Sequence, residues 1–125
     1  MSSHPSPVGA RGMRAIARQA FLIEGLIAAH AADPGFSPLL DRAAEASELQ
    51  RRGECSVLEF LDAAMDSADW LRDHASGPAE LSVAYLTIAT LENARAQELR
   101  GTASREALSR RDAAIRLGKA AARRI

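Results

Sequence analysis

Aromatic side chains are scarce: one Trp, one Tyr and three Phe make up 4% of the chain. A core with so few rings has to be filled by Leu, Ile and Ala on closely approaching helices, and Ala alone occurs 27 times. Cysteine is almost as rare. Cys55 is the single thiol, so an internal disulfide is excluded. No Cys/His spacing of the metal-binding kind surrounds it, and a reducing, cytosolic compartment fits best. Long apolar runs are missing too. The longest uncharged stretch, LSVAYLTIATL (81–91), has 11 residues, well short of the roughly 18 to 20 that cross a bilayer. The opening MSSHPSPVGARG has no apolar core of signal-peptide type. It reads as a flexible tail over residues 1–12 ahead of a helical domain over 13–125, with no membrane partner expected.

The motifs of common chemistries are also lacking. There is no Gly-rich phosphate loop, no alternating strand pattern, no serine in a nucleophile-elbow context and no ExxH pair. Arg72 and His74 form the nearest approach to a helical ribonuclease pair, and such pairs are too common to assign. Glu24 and His30 on the first helix are too far apart in spacing to build a di-metal centre. Cys55 stands just before a helix start, a position that tends to lower a thiol pKa. No catalytic residue, cofactor or metal is therefore assigned.

What is present is clear helix punctuation in a chain of 125 residues, 47% hydrophobic, the size of one domain. A first helix is expected from about Met13 to Ala32, stopped by Asp33-Pro34-Gly35. Ser37-Pro38 starts a second with Ser37 as N-cap and Pro38 at the first helical position, and it ends at Gly53. Ser56-Val57-Leu58-Glu59 is a capping box opening the third. Gly77-Pro78-Ala79-Glu80 opens the fourth, which Gly101 closes, and a fifth runs from about Ala103 to Arg124. The β-branched run VAYLTIAT lies inside the fourth, where the proline start and the NARAQEL continuation favour helix. The expected fold is all-α, a single-domain bundle of about five helices in antiparallel pairs.

The Arg-Gly breaks followed by DAA segments in LQRRGECSVLEFLDAAM (49–65) and LRGTASREALSRRDAAI (99–115) resemble the turn and Ala-rich second helix of tetratricopeptide repeats. The spacing here is about 50 residues where that family has about 34. The resemblance implies antiparallel helix pairs.

Helical geometry then sorts the charges. Glu59, Asp62, Asp66, Asp69 and Asp73 recur at intervals of three and four, about 180° from an apolar arc of Val57, Leu61, Ala64, Ala68, Leu71 and Ala75. They read as the solvated face of helix three. Trp70 lies on the flank with Ala63, Ser67 and His74, either covered by a neighbouring helix or exposed as an aromatic anchor. On helix one, Ile16, Ile23 and Ile27 share an arc expected in the core. On helix four, Glu92 and Arg95 fall on the apolar face and must find partners.

The net charge of zero hides a division: residues 1–99 carry 8 basic and 14 acidic side chains, residues 100–125 carry 8 and 2. Fifteen of the 16 basic residues are Arg, a coding bias of GC-rich bacterial genomes. Helix five thus presents Arg105, Arg110, Arg111, Arg116, Lys119, Arg123 and Arg124 beside a narrow stripe of Leu108, Ala114, Ile115, Ala121, Ala122 and Ile125. Three uses are open to that basic face: complementing acidic helix three, binding a protein, or holding phosphates. Without interleaved aromatics it has no means of specifying bases. The expected function is a small cytosolic protein-binding module, an adaptor, chaperone-like or regulatory protein, with another protein or a second copy as partner. Its candidate contact residues are Trp70, His74, Arg105, Arg116, Lys119 and Arg123. The alternative is a nucleic-acid-associated protein using the basic C-terminal helix.

Overall fold

Short connections with Pro, Gly or Ser at the helix boundaries leave consecutive helices little choice but to fold back on one another. The computed structural model describes residues 9–125, with side chains from residue 17 onward. It contains α1 (Gly9–His30), α2 (Ser37–Arg51), α3 (Val57–Asp73), α4 (Pro78–Glu98) and α5 (Gly101–Ala122), with no strand among the described residues. The fold is the expected all-α bundle of five helices. Residues 1–8 of the expected tail lie outside the described residues, and residues 9–12 already belong to α1.

The caps follow the sequence in part. Ser56 caps α3, its Oγ accepting from the Glu59 N–H at 3.1 Å. Gly77 and Pro78 open α4, and Glu80 Oε1 reaches back to accept from the Ser76 N–H at 3.1 Å. Gly53, with φ of +76°, sits beyond the end of α2 in the left-handed region that disfavours side chains. Ser37 is not the N-cap of α2. The turn before it is already wound, and the Ser37 N–H bonds to the Asp33 carbonyl at 2.8 Å. Asp33 takes the organising role, its Oδ1 accepting from the Gly35 N–H at 2.9 Å. Gly101 does not close α4. It opens α5 with φ of +56°, and the two helices are joined by Leu99 and Arg100 alone.

α2 packs on α3, α3 on α4 and α4 on α5, each pair antiparallel, while α1 lies antiparallel along another side of α4. A helix covered from three directions cannot have one narrow apolar stripe, and this is why α4 is apolar round much of its circumference. One core cluster joins Met65 and Ala68 of α3 to Ile88 and Ala89 of α4 and Ala114 of α5. A second joins Leu26, Leu71 and Ala84 around Phe36, which is wholly buried in the turn between α1 and α2.

α1 is the least buried helix among its described side chains. Leu26 is buried, but Ile23 and Ile27 are only half-covered, and Phe21 is 74% exposed. The expectation that Ile23 belongs to the core is corrected: α1 packs chiefly on α4, and touches α3 only near its C-terminal end, so one narrow stripe suffices. The side chain of Ile16 is outside those described. Unfolding in urea should separate these roles. Phe36→Ala is expected to cost about 3 to 5 kcal/mol, and Ile23→Ala only about 1 kcal/mol.

Candidate functional site

The α4–α5 pair is the most extensive helix contact, and its seam is made of the smallest side chains. Ala107, Ala114 and Ala121 recur every seven residues on α5 with Gly118 between the last two, and all four are buried. They face Ala89 and Ala96 of α4, with Tyr85 one turn away. Small seam residues let two helix axes approach closely. Gly118 lies against α4 with little room to spare: a Cβ there would lie 3.2 Å from Tyr85 Cβ and 3.5 Å from the Ser82 carbonyl oxygen. The Ser104 hydroxyl donates to the Ala96 carbonyl at 2.7 Å, closing the end of the pair near the connection.

Alanine faces alone would slide, and polar contacts set the register. Glu92 is 4% exposed, the one buried charged residue among those described. Its Oε2 accepts from Arg110 Nε at 2.8 Å and its Oε1 from Arg95 Nη1 at 3.3 Å, while Arg95 Nη2 donates to Asp62 at 2.8 Å. Burying an ionised carboxylate costs several kcal/mol, which charge-assisted hydrogen bonds of roughly 1.5 to 3 kcal/mol each offset. Arg111 Nη1 adds a bond to the Asn93 amide oxygen at 2.8 Å. Arg110 and Arg111 of α5 therefore engage α4. The idea that α5 complements acidic α3 is corrected: no ion pair joins α3 and α5 among the described residues.

A seam this small turns the larger apolar side chains outward. The expected docking stripe of α5 holds at Ala114 and Ala121 and is corrected elsewhere, since Ile115 is 39% and Ile125 76% exposed while Ala107 and Gly118 are buried. Between α1, α4 and α5 lies an open groove of about 570 Å³. Its floor includes Ala89, Ala114 and Gly118. Leu86 and Thr90 of α4, Ile115 and Ala122 of α5 and Gln19 of α1 stand round it. Among the described residues the lining contains Arg111 and Lys119 and no carboxylate.

Three candidate residues, Arg116, Lys119 and Arg123, border this groove, and Arg105 shares their face of α5 nearer its N-terminal end. At 100° per residue, Arg105, Arg116, Lys119 and Arg123 fall within about 60° of one another on α5 and border the groove-lining stripe. Arg105 bonds to Thr102, whereas Arg116, Lys119 and Arg123 are exposed and form no ion pair among the described residues. Asp112 shares their flank and is held by Arg111 at 2.9 Å.

Trp70 and His74 belong elsewhere. Trp70 is half-buried against Phe36, ring centroids 5.3 Å apart, with His30 edge-on at 5.6 Å and His74 stacked on its other side at 4.0 Å. A Cβ on Gly35 would lie 2.9 Å from the indole nitrogen, so this turn accepts only glycine beside the ring. Trp70 thus seals the joint between the α1–α2 turn and α3, and does not stand free as an anchor. His74 Nδ1 donates to the Trp70 carbonyl oxygen at 2.9 Å, and Arg72 is engaged by Asp69 and Asp73 at 3.2 and 3.0 Å. Burial and the Glu59 carboxylate push the Cys55 thiol up, opposite to the lowering its place before a helix suggests. Of the acidic row, Glu59, Asp62, Asp66 and Asp73 are exposed. Asp69 is half-covered, and burial raises its pKa.

No protein-family model, curated protein or solved structure matches the chain. The fold and the site therefore define the class by themselves, a five-helix bundle with an apolar, basic-rimmed groove. Leu86, Thr90 and Asn93 are the groove residues that sequence reasoning missed. A signal for them exists in the seven-residue recurrence of Ala107, Ala114 and Ala121, which marks a small-residue seam and shows which larger side chains it leaves outside.

Two measurements probe the electrostatics. Replacing the whole triad, Glu92→Met with Arg95→Met and Arg110→Met, is expected to shift stability by no more than about 1 to 2 kcal/mol, because well-packed apolar side chains can replace a buried ion network. Arg95→Met with Arg110→Met is expected to cost about 3 to 5 kcal/mol by stranding the carboxylate, and denaturant unfolding at neutral pH distinguishes the two. At the His30–Glu80 contact of 3.0 Å, the hydrogen bond from His30 holds the Glu80 carboxyl below the usual glutamate range. A depressed folded-state pKa gives stability that is full above the unfolded value and lost as pH falls through the folded one. Glu80→Gln should then lower stability at neutral pH and flatten its fall on acidification, read from melting temperatures across the acidic range.

Proposed function

We propose that this chain is a small cytoplasmic protein-binding module, an adaptor, chaperone-like or regulatory protein, that receives a helical segment of another protein between α1, α4 and α5. The observation that carries this reading is the apolar groove of about 570 Å³ at the outer face of the α4–α5 pair. Such helix-in-groove recognition needs an apolar trough with polar edges, and Leu86, Ile115, Lys119 and Asn93 supply both. The cytoplasmic placement follows the lone thiol. No helix among the described residues is long and apolar enough to cross a membrane.

Phosphate binding by Arg116, Lys119 and Arg123 is the competing reading. It is disfavoured because the same face has no aromatic stacking surface and the chain has no net positive charge. A photo-crosslinking side chain at Ile115 should trap a discrete protein in the native host, and one at Asp66 on α3 should not. Arg116→Ala, Lys119→Ala and Arg123→Ala together would instead abolish a tight, steeply salt-dependent nucleic-acid complex if the competing reading holds.

A further inference from the structure

We propose that the occupant of the α4–α5 groove is an acidic amphipathic helix of about three turns. This rests on the reading of the groove as a helix-binding site and adds the chemistry of the partner. Length comes from α4: Ser82 and Asn93 both line the groove, and 11 residues of helical rise span about 16 Å. Shape comes from the floor, where Ala89, Ala114 and Gly118 leave room for large apolar side chains of the occupant between Leu86 and Ile115.

Charge comes from the rim. Lys119 lines the groove, Arg116 and Arg123 flank it within one turn on either side, and none forms an ion pair among the described residues. The one carboxylate on that flank, Asp112, is already held by Arg111. Cations at 116, 119 and 123 face carboxylates spaced at i, i+3 or i+4, and i+7 on a helix lying alongside. The apolar contacts supply affinity, while the rim selects sign and orientation.

A second copy of this chain fits less well. The described part of its α1 offers Arg18 and Glu24, one charge of each sign, and so no acidic face to match a basic rim. Its acidic α3 face is engaged by Arg42, Arg72 and Arg95 and has no exposed large apolar side chain to enter the groove.

The experiment measures fluorescence anisotropy of four labelled probes with the full chain at physiological salt. They are a designed Leu/Ala/Glu amphipathic helix of about four turns, its Lys-for-Glu twin, a polyglutamate peptide of equal charge, and a duplex oligonucleotide. The acidic amphipathic probe is expected to bind saturably and at least about tenfold more tightly than the other three. Ile115→Glu should weaken it by roughly tenfold or more, with helicity and melting temperature checked by circular dichroism. Because Arg116, Lys119 and Arg123 are exposed, reversing all three to Glu leaves the fold intact and should transfer preference to the Lys twin. That swap would not follow from a purely structural role. Preference of the wild type for the Lys twin, lost in Ile115→Glu, would overturn the acidic partner and keep the groove as a helix site. Tightest binding of the oligonucleotide, or no saturable binding of either helix, would overturn both. A concentration-dependent dimer in sedimentation, dissociated by Ile115→Glu, would assign the groove to a second copy and overturn the proposal.

Discussion

The close approach of α4 and α5 along alanine and glycine is the constraint on which the rest of the structure depends. Two helices meeting through methyl groups gain little apolar area from any one residue, so the contact has to run the length of both. Ala89, Ala96, Ala107, Ala114, Gly118 and Ala121 do this while keeping high helix propensity everywhere except Gly118. Larger side chains that would ordinarily occupy such a seam are displaced to its edges. Leu86 and Ile115 therefore stand beside the groove, and its walls result from how its floor is packed.

A seam of equivalent alanines has little preference for one register over another shifted by a turn. Glu92 breaks that degeneracy, because in any other register its carboxylate would lose Arg110 and remain buried. The same group ties three helices together through Arg95 and Asp62. Charge is spent here on alignment, and the cations left over, Arg116, Lys119 and Arg123, lie farther along α5 where no acid of α4 reaches them. Local neutrality near the connection and a positive rim toward the C-terminal end of α5 thus share one cause.

At the other side of α4 two of the five aromatic residues, Phe36 and Trp70, meet in one joint with two histidines. Phe36, Trp70 and His74 pack in sequence, with His30 against the indole edge and hydrogen-bonded to Glu80. The two imidazoles come from different helices and do different work: His30 fastens the end of α1 to the start of α4, while His74 shields the indole. α1 is held mainly at this end, and its Phe21 remains exposed.

The sequence by itself determined the helical class, five helices and most of their limits, because caps and breakers act within a few residues and their partners are near in the chain. Ser56 as an N-cap and Gly77-Pro78 as a helix start worked locally as read, Gly53 stands just past the end of α2, and the acidic row of α3 was legible from its period alone. Ser37 was misread since the Asp33 turn, which satisfies its amide, became visible only in three dimensions. Only the tertiary structure decided which of several apolar stripes were core. Ile23, Ile115 and Ile125 are as hydrophobic as Leu26 or Leu71, yet the small-residue seam and the position of α1 left them partly or largely uncovered. The placing of Trp70, the partners of Glu92 and the bordering of a groove by Arg116, Lys119 and Arg123 were likewise set by helix-to-helix distances. Periodicity states which residues share a face, but not how near the next helix will come.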